Sequence, residues 1–79
     1  MRILFFAQAR DAVGAAELEV KISGSPDLDA MWRELILARP ALATFRESSR
    51  LARNGEYANE QTIFGNEDEV ALIPPVSGG

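Results

Sequence analysis

The residues with the clearest chemical potential stand at the end of the sequence, in Pro74-Pro75-Val76-Ser77-Gly78-Gly79. Gly78 and Gly79 lack side chains, so this segment can thread a channel too narrow for any Cβ. A carboxylate on Gly79 would present an unhindered carbonyl carbon, open to attack once one oxygen has become a leaving group. Pro74 and Pro75 stop a preceding strand and stiffen the exit, sending the chain away from the body. The plain alternative is a frayed end of small residues. Against it stands the absence of any thiol or imidazole, since the 79 residues include no Cys and no His. Thiolate nucleophiles, disulfides, zinc knuckles, iron–sulfur ligation and imidazole bases are thereby excluded. Gly79 is the candidate reacting residue and Gly78 the residue that gives it clearance.

The remaining candidates have simpler explanations. Asp27 and Asp29 suit a helix cap, and Glu67-Asp68-Glu69 is an acidic turn without the ladder of oxygen ligands that a calcium loop requires, so no metal site is expected. Arg10 beside Asp11 can anchor a partner's carboxylate or simply pair locally. Tyr57 follows a turn and is expected to pack rather than react. Trp32 falls on an apolar helical stripe and is expected in the core.

The elements that must position the tail can be read from hydrophobic spacing. Arg2 to Ala7 holds the run Ile3-Leu4-Phe5-Phe6, too short for a helix and suited to a buried strand. Gln8 to Ala16 contains Asp11 and Gly14 and reads as a turn region. Glu17 to Ile22 alternates, with Leu18, Val20 and Ile22 on one face and Glu17, Glu19 and Lys21 on the other, as expected of a half-buried edge strand. Ser25 or Asp27 can cap a helix over Leu28–Ala38, whose Leu28, Met31, Trp32, Leu35 and Ile36 share one stripe, and Pro40 ends it. Ala41 to Ser49 allows one further short turn, with Leu42 and Phe45 returning to the core. Leu51-Ala52-Arg53 precedes Asn54-Gly55, a strong two-residue hairpin signal, so Glu56-Tyr57-Ala58 is a short return strand. Asn59 to Asn66 is a loop or helical turn anchored to the core by Ile63 and Phe64, and Val70-Ala71-Leu72-Ile73 is the final strand.

Composition bounds what such a chain can do. With 47% hydrophobic residues it can build one small core, though a chain of this size hides only about 60% of its extended surface. It is expected to form one domain over residues 1–79, with residues 74–79 as a flexible tail. Eight Lys+Arg against twelve Asp+Glu give a formal charge of -4. Nucleic acid and anionic membranes are therefore disfavoured as partners, and a basic protein surface is favoured. No apolar run is long enough to span a bilayer, and Met1 to Phe6 does not read as a signal peptide, so a cytoplasmic location is expected.

These elements form an α+β fold in which one main helix covers one face of a small sheet. The other face is open, and strand parity predicts what it carries. If Ile3, Phe5, Val70 and Leu72 point inward, then Leu4, Phe6, Ala71 and Ile73 point outward. With the first and last strands adjacent, these four residues make an apolar patch that leads through Pro75 and Val76 into the tail. Such a patch on an acidic domain suits a protein partner. The alternative is that loop residues near Phe45 or Phe64 fold over it.

Arg2-Ile3-Leu4-Phe5-Phe6-Ala7-Gln8-Ala9-Arg10 with Val13-Gly14, and Asp68-Glu69-Val70-Ala71-Leu72-Ile73-Pro74-Pro75-Val76-Ser77-Gly78-Gly79, resemble the opening and ending of the small, sulfur-carrying subunits of molybdopterin synthase. Asn54 falls where that family usually has an asparagine before its short return strand. The resemblance implies a β-grasp, ubiquitin-like fold with a mixed sheet, and a carried substrate inactive on its own. It implies that Gly79 is adenylated by an ATP-dependent activating enzyme, that a persulfide donor supplies sulfur to give a thiocarboxylate, and that the tail enters a large catalytic subunit. There the sulfur goes to a cyclic pyranopterin monophosphate to build a dithiolene. No cofactor is bound by the chain itself; ATP belongs to the activating enzyme. Sulfur carriers of thiamine or other pathways, and ubiquitin-like modifiers joined to lysines through Gly79, share the terminal Gly-Gly; a binding module with an idle tail is the third possibility. Two residues depart from the family's pattern. Glu67 stands where Gly is frequent, and would cost on the order of 1 kcal/mol if that position needed positive φ, unless Gly65-Asn66 rearranges the turn. Arg53 stands where an apolar strand residue is usual.

Overall fold

The computed structural model describes residues 1–75, in which β1 (Arg2–Phe5), α1 (Ala7–Val13), β2 (Glu17–Glu19), α2 (Leu28–Ala38), β3 (Arg50–Arg53), β4 (Glu56–Tyr57) and β5 (Glu69–Ile73) follow in order. A 3-10 helix, Pro40–Phe45, lies between α2 and β3. The sheet order is β2-β1-β5-β3-β4. The pair β1–β5 is parallel, with Ile3 opposite Val70 and Phe5 opposite Leu72, and the other pairs are antiparallel. This mixed sheet with its main helix across one face is the expected β-grasp arrangement.

Helix α2 starts and stops where local chemistry requires. The Asp27 carboxylate accepts from the Ala30 N–H at 2.9 Å, so Asp27 rather than Ser25 is the cap. At the other end Arg39 is extended, at φ -143° and ψ 96°, as a residue before proline prefers, and Pro40 opens the 3-10 helix. The stripe of α2 buries Met31, Trp32 and Leu35, with Leu28 and Ile36 half-buried beside them. Ile3, Phe5, Leu51, Val70 and Leu72 complete this layer from the sheet, and Leu42 closes it from the 3-10 helix.

The segment Gln8 to Ala16 is not simply a turn region, because most of it forms α1. Its inward face consists of Ala9, buried, and Val13, half-buried, one helical turn apart. One pair of small apolar residues is too faint a periodic signal to register in sequence. Gly14 ends the helix at φ 82°, with its N–H donating to the Arg10 carbonyl at 2.8 Å.

Strand β2 is shorter than the alternating run Glu17 to Ile22. Val20 still donates to the Met1 carbonyl at 2.8 Å, but no β1 residue remains to pair with Ile22. The Asn66 side chain takes over that role. Its Oδ1 accepts from the Ile22 N–H and its Nδ2 donates to the Ile22 carbonyl, both at 2.9 Å. A single amide thus reproduces the two backbone bonds of a strand neighbour and keeps the Ile22 side chain in the core. Of the two loop anchors, Phe64 is buried and Ile63 is exposed, because one position in that extended segment faces the core and the next faces water.

Asn54-Gly55 forms the predicted tight turn, at φ 51° and 87°. Glu67 carries no penalty, since it is not among the positive-φ residues. The turn is instead closed by Asp68, whose N–H donates to the Gly65 carbonyl at 3.0 Å while its carboxylate accepts from the Gly65 N–H at 2.8 Å. Arg53 reaches out of the strand to donate to the Ile63 carbonyl, which allows a cation where an apolar residue was expected. None of the helices among the described residues is long and apolar enough to cross a membrane.

Candidate functional site

The sheet face opposite α2 carries the predicted patch. Leu4, Ala71 and Ile73 are half-buried and Phe6, just past β1, is 44% exposed. Register places Leu4 directly opposite Ala71 across the parallel β1–β5 pair, as parity requires. The covering loops considered above go elsewhere: Phe64 is in the core, with its N–H donating to the Pro26 carbonyl, and Phe45 packs against the core's edge.

The patch extends further than its sequence-predicted residues. Ala52 lies opposite both Ala71 on β5 and Tyr57 on β4, so the row from Leu4 continues through Ala71 and Ala52 to Tyr57. Two adjacent alanines leave a trough of about 320 Å³ walled by Phe6, Ile73 and Tyr57, with Glu69 at one end. Tyr57 is therefore not a packing residue. It is 54% exposed, and the Arg50 guanidinium lies 4.0 Å from its ring centroid. These residues were accessible to sequence reasoning, because a two-residue turn fixes Ala52 opposite Tyr57, and an inward Leu51 puts Ala52 outward.

Electrostatics differ along the face. At the Glu69 end, Arg2 is held at 2.6 Å from Glu17 and 3.2 Å from Glu69. The hydrogen bond and charge of Glu17, with Glu69 adding to them, raise its pKa above the ordinary arginine value. Behind that end, Asn54 joins the hairpin to the start of β5. Its Nδ2 donates to Asp68 and its Oδ1 accepts from the Glu69 N–H, each at 2.9 Å. The Asp68 carboxyl is held below the usual carboxylate range, first by this Asn54 bond and further by the Gly65 N–H and the Arg53 charge.

At the opposite end β5 runs from the middle of the sheet into Pro74, half-buried, and Pro75, exposed. A cleft of about 550 Å³ borders these prolines, lined on its other sides by Gln8 of α1 and by Thr44 and Phe45. Val76, Gly78 and Gly79, the other predicted members of the site, lie outside the described residues. Among the described residues no cluster of Asp and Glu is placed to hold a metal ion. The described part of the site is thus an open apolar face with charged margins, on the strands that lead to Pro74 and Pro75.

The whole chain is similar to known proteins. A profile of the ThiS family matches residues 3–79. The molybdopterin synthase sulfur carrier subunit of Arabidopsis thaliana is 37% identical over 79 residues, covering all of this chain and 82% of the relative. The protein of the same description from Chlamydomonas reinhardtii is 32% identical over 81 residues, covering all of this chain and 98% of the relative. Among solved structures, SAMP1 from Haloferax volcanii superposes with a TM-score of 0.83 at 31% identity, covering 100% of this chain and 98% of that one.

Proposed function

The chain belongs to the ThiS family, and from that premise we propose that it is the sulfur-carrier subunit of a molybdopterin synthase. The observation that carries this reading is the 37% identity to the Arabidopsis sulfur carrier subunit across all 79 residues. In this reading the reacting group is the Gly79 carboxylate. A separate enzyme transfers AMP from ATP to it and releases pyrophosphate, turning a carboxylate oxygen into a leaving group. The outer sulfur of a persulfide donor then displaces AMP to give an acyl disulfide. A second thiol attacks the donor's sulfur, breaking the S–S bond and leaving a thiocarboxylate and a new disulfide. The large catalytic subunit receives the tail and passes the sulfur to a cyclic pyranopterin monophosphate. The chain on its own has no turnover.

The fold supports a division of labour between body and tail. The open face formed by Leu4, Phe6, Ala71 and Ile73 lies on the same strand that runs out into Pro74-Pro75 and on its neighbour β1, which favours a partner that engages both the body and the tail. Pro75 and Val76 continue that contact in this reading, and Gly78 keeps the channel around Gly79 free of side chains.

Incubation with ATP, the activating enzyme and a sulfur donor, followed by intact mass measurement, tests the reading. The expected gain equals the exchange of one oxygen for sulfur. Deleting Gly79 withdraws the carboxylate by up to about 3.5 Å. A displacement of 1 Å can lower a rate about a hundredfold, so pyrophosphate exchange and thiocarboxylate formation should collapse while docking of the body persists. Gly78→Val should also block turnover, by filling the channel. A folded Gly79 deletion with near-parent turnover, or lysine-linked adducts as the sole products, would overturn the assignment.

A further inference from the structure

Arg50 is an exposed cation on the open face with no carboxylate partner among the described residues. Arg2 pairs with Glu17 and Glu69, Arg33 and Arg46 pair with Asp29, and Arg39 and Arg53 donate to the Ala38 and Ile63 carbonyls, while Arg10, likewise without an ion pair among the described residues, belongs to α1 rather than to the sheet. Arg50 instead lies over Tyr57, 4.0 Å from the ring centroid. A guanidinium over an aromatic face keeps its in-plane N–H donors available, and the stacking reduces the rotamer freedom that would be lost on binding. Both residues come from sequence positions that register places on the outer face, Arg50 opposite Ile73 and Tyr57 opposite Ala52. The ring that holds Arg50 is therefore also a wall of the trough over Ala52 and Ala71.

The two ends of the face differ in sign. Around Glu69, two carboxylates share the single Arg2 guanidinium, which leaves that end negative. Arg50 stands opposite Ile73, four residues further along β5, or about 13 Å away at the usual rise of a strand. An apolar trough between a negative and a positive margin is a directional pattern, which a uniformly basic surface would not match.

We propose that Arg50, held in place by Tyr57, is a specificity residue that accepts a carboxylate of the large subunit, whose bulky apolar side chain seats over Ala52 and Ala71 and whose basic residue faces Glu17 and Glu69. The proposal rests on the sulfur-carrier reading for the identity of the partner. It departs from the charge balance of the whole chain, which by itself points only to basic partners.

Calorimetry of the full chain against the large subunit tests it, with circular dichroism on every variant. Arg50→Gln should weaken binding about tenfold and Arg50→Glu about a hundredfold, because repulsion is added to the lost contact. Arg50→Lys should recover only part of the loss, having the charge without the planar fork. Tyr57→Leu keeps apolar area at the trough wall but removes the ring, so it should weaken the parent a few-fold and have a clearly smaller effect on Arg50→Gln. Arg50→Glu binding within twofold of the parent would overturn the carboxylate contact, and an equal Tyr57→Leu loss in both backgrounds would overturn the positioning role. A parent chain that forms thiocarboxylate but does not bind the large subunit would overturn this proposal while leaving the activation chemistry intact. A parent that binds but is never thiocarboxylated would count against the functional reading instead.

Discussion

Removing the Asn66 side chain should destabilise the domain out of proportion to its surface position. Asn66 makes two hydrogen bonds to Ile22, one to the N–H and one to the carbonyl, across 44 positions of sequence. Each neutral bond contributes about 0.5–1.5 kcal/mol net, so Asn66→Ala should cost about 1–3 kcal/mol. The upper part of that range applies if water cannot reach the freed groups, and the burial of the Ile22 side chain directly beneath them favours it. For a domain of 60–100 residues each kcal/mol lowers Tm by about 4–8 °C, which makes the change easy to measure. Asn66→Asp sharpens the test. It keeps an acceptor for the Ile22 N–H but sets a carboxylate oxygen against the Ile22 carbonyl, so it should destabilise at least as much as Ala. Urea unfolding followed by the fluorescence of Trp32, the only tryptophan in the chain, measures both variants on a buried core probe. If Asn66→Ala unfolds within about 0.3 kcal/mol of the parent, the amide is not acting as a strand surrogate and the account of what holds Ile22 beyond the end of β2 is wrong.

The other expectations concern the docking face and acid stability. Phe6→Ala should lower the unfolding midpoint only slightly, because Phe6 is 44% exposed and lies outside the buried core. It should weaken binding to the large subunit by about 2 kcal/mol if Phe6 is a central anchor, and unchanged affinity by calorimetry would move the interface elsewhere. Asp68 has a pKa lower in the folded than in the unfolded chain, so its contribution is fully present above the ordinary aspartate range and is lost as pH falls through the folded value. Chemical unfolding at a series of acidic pH values should therefore show a steeper loss for the parent than for Asp68→Asn; parallel curves would refute the assignment. Asn54→Gly keeps the backbone freedom needed at φ 51° while deleting the bonds to Asp68 and Glu69. It should lower stability by about 1–2 kcal/mol in the same assay and flatten the acid dependence, since Asp68 loses the main cause of its shift.

Local chemistry determined a large part of this protein. The stripe of α2, its Asp27 cap and its stop before Pro40 are properties of neighbouring residues, as is the Asn54-Gly55 turn, so they could be read without knowing what packs against them. Parity then assigned Leu4, Phe6, Ala71 and Ile73 to one face, because successive strand residues point to opposite sides. The Gly78-Gly79 ending and its chemistry were likewise visible only as sequence, and no contact within the described residues adds to them. Tertiary structure decided what depends on partners distant along the chain. α1 forms because Ala9 and Val13 have a core to face, although seven residues with one small apolar pair carry little signal alone. Ile22 leaves its strand because β1 has run out, and Asn66 substitutes because the loop before β5 passes beside it. Arg50 and Tyr57 meet over a trough of alanines because pairing of β3 with both β4 and β5 fixes their rows. Hydrophobic periodicity records which side of an element is buried, but it does not record which polar side chains will find each other once the sheet is assembled.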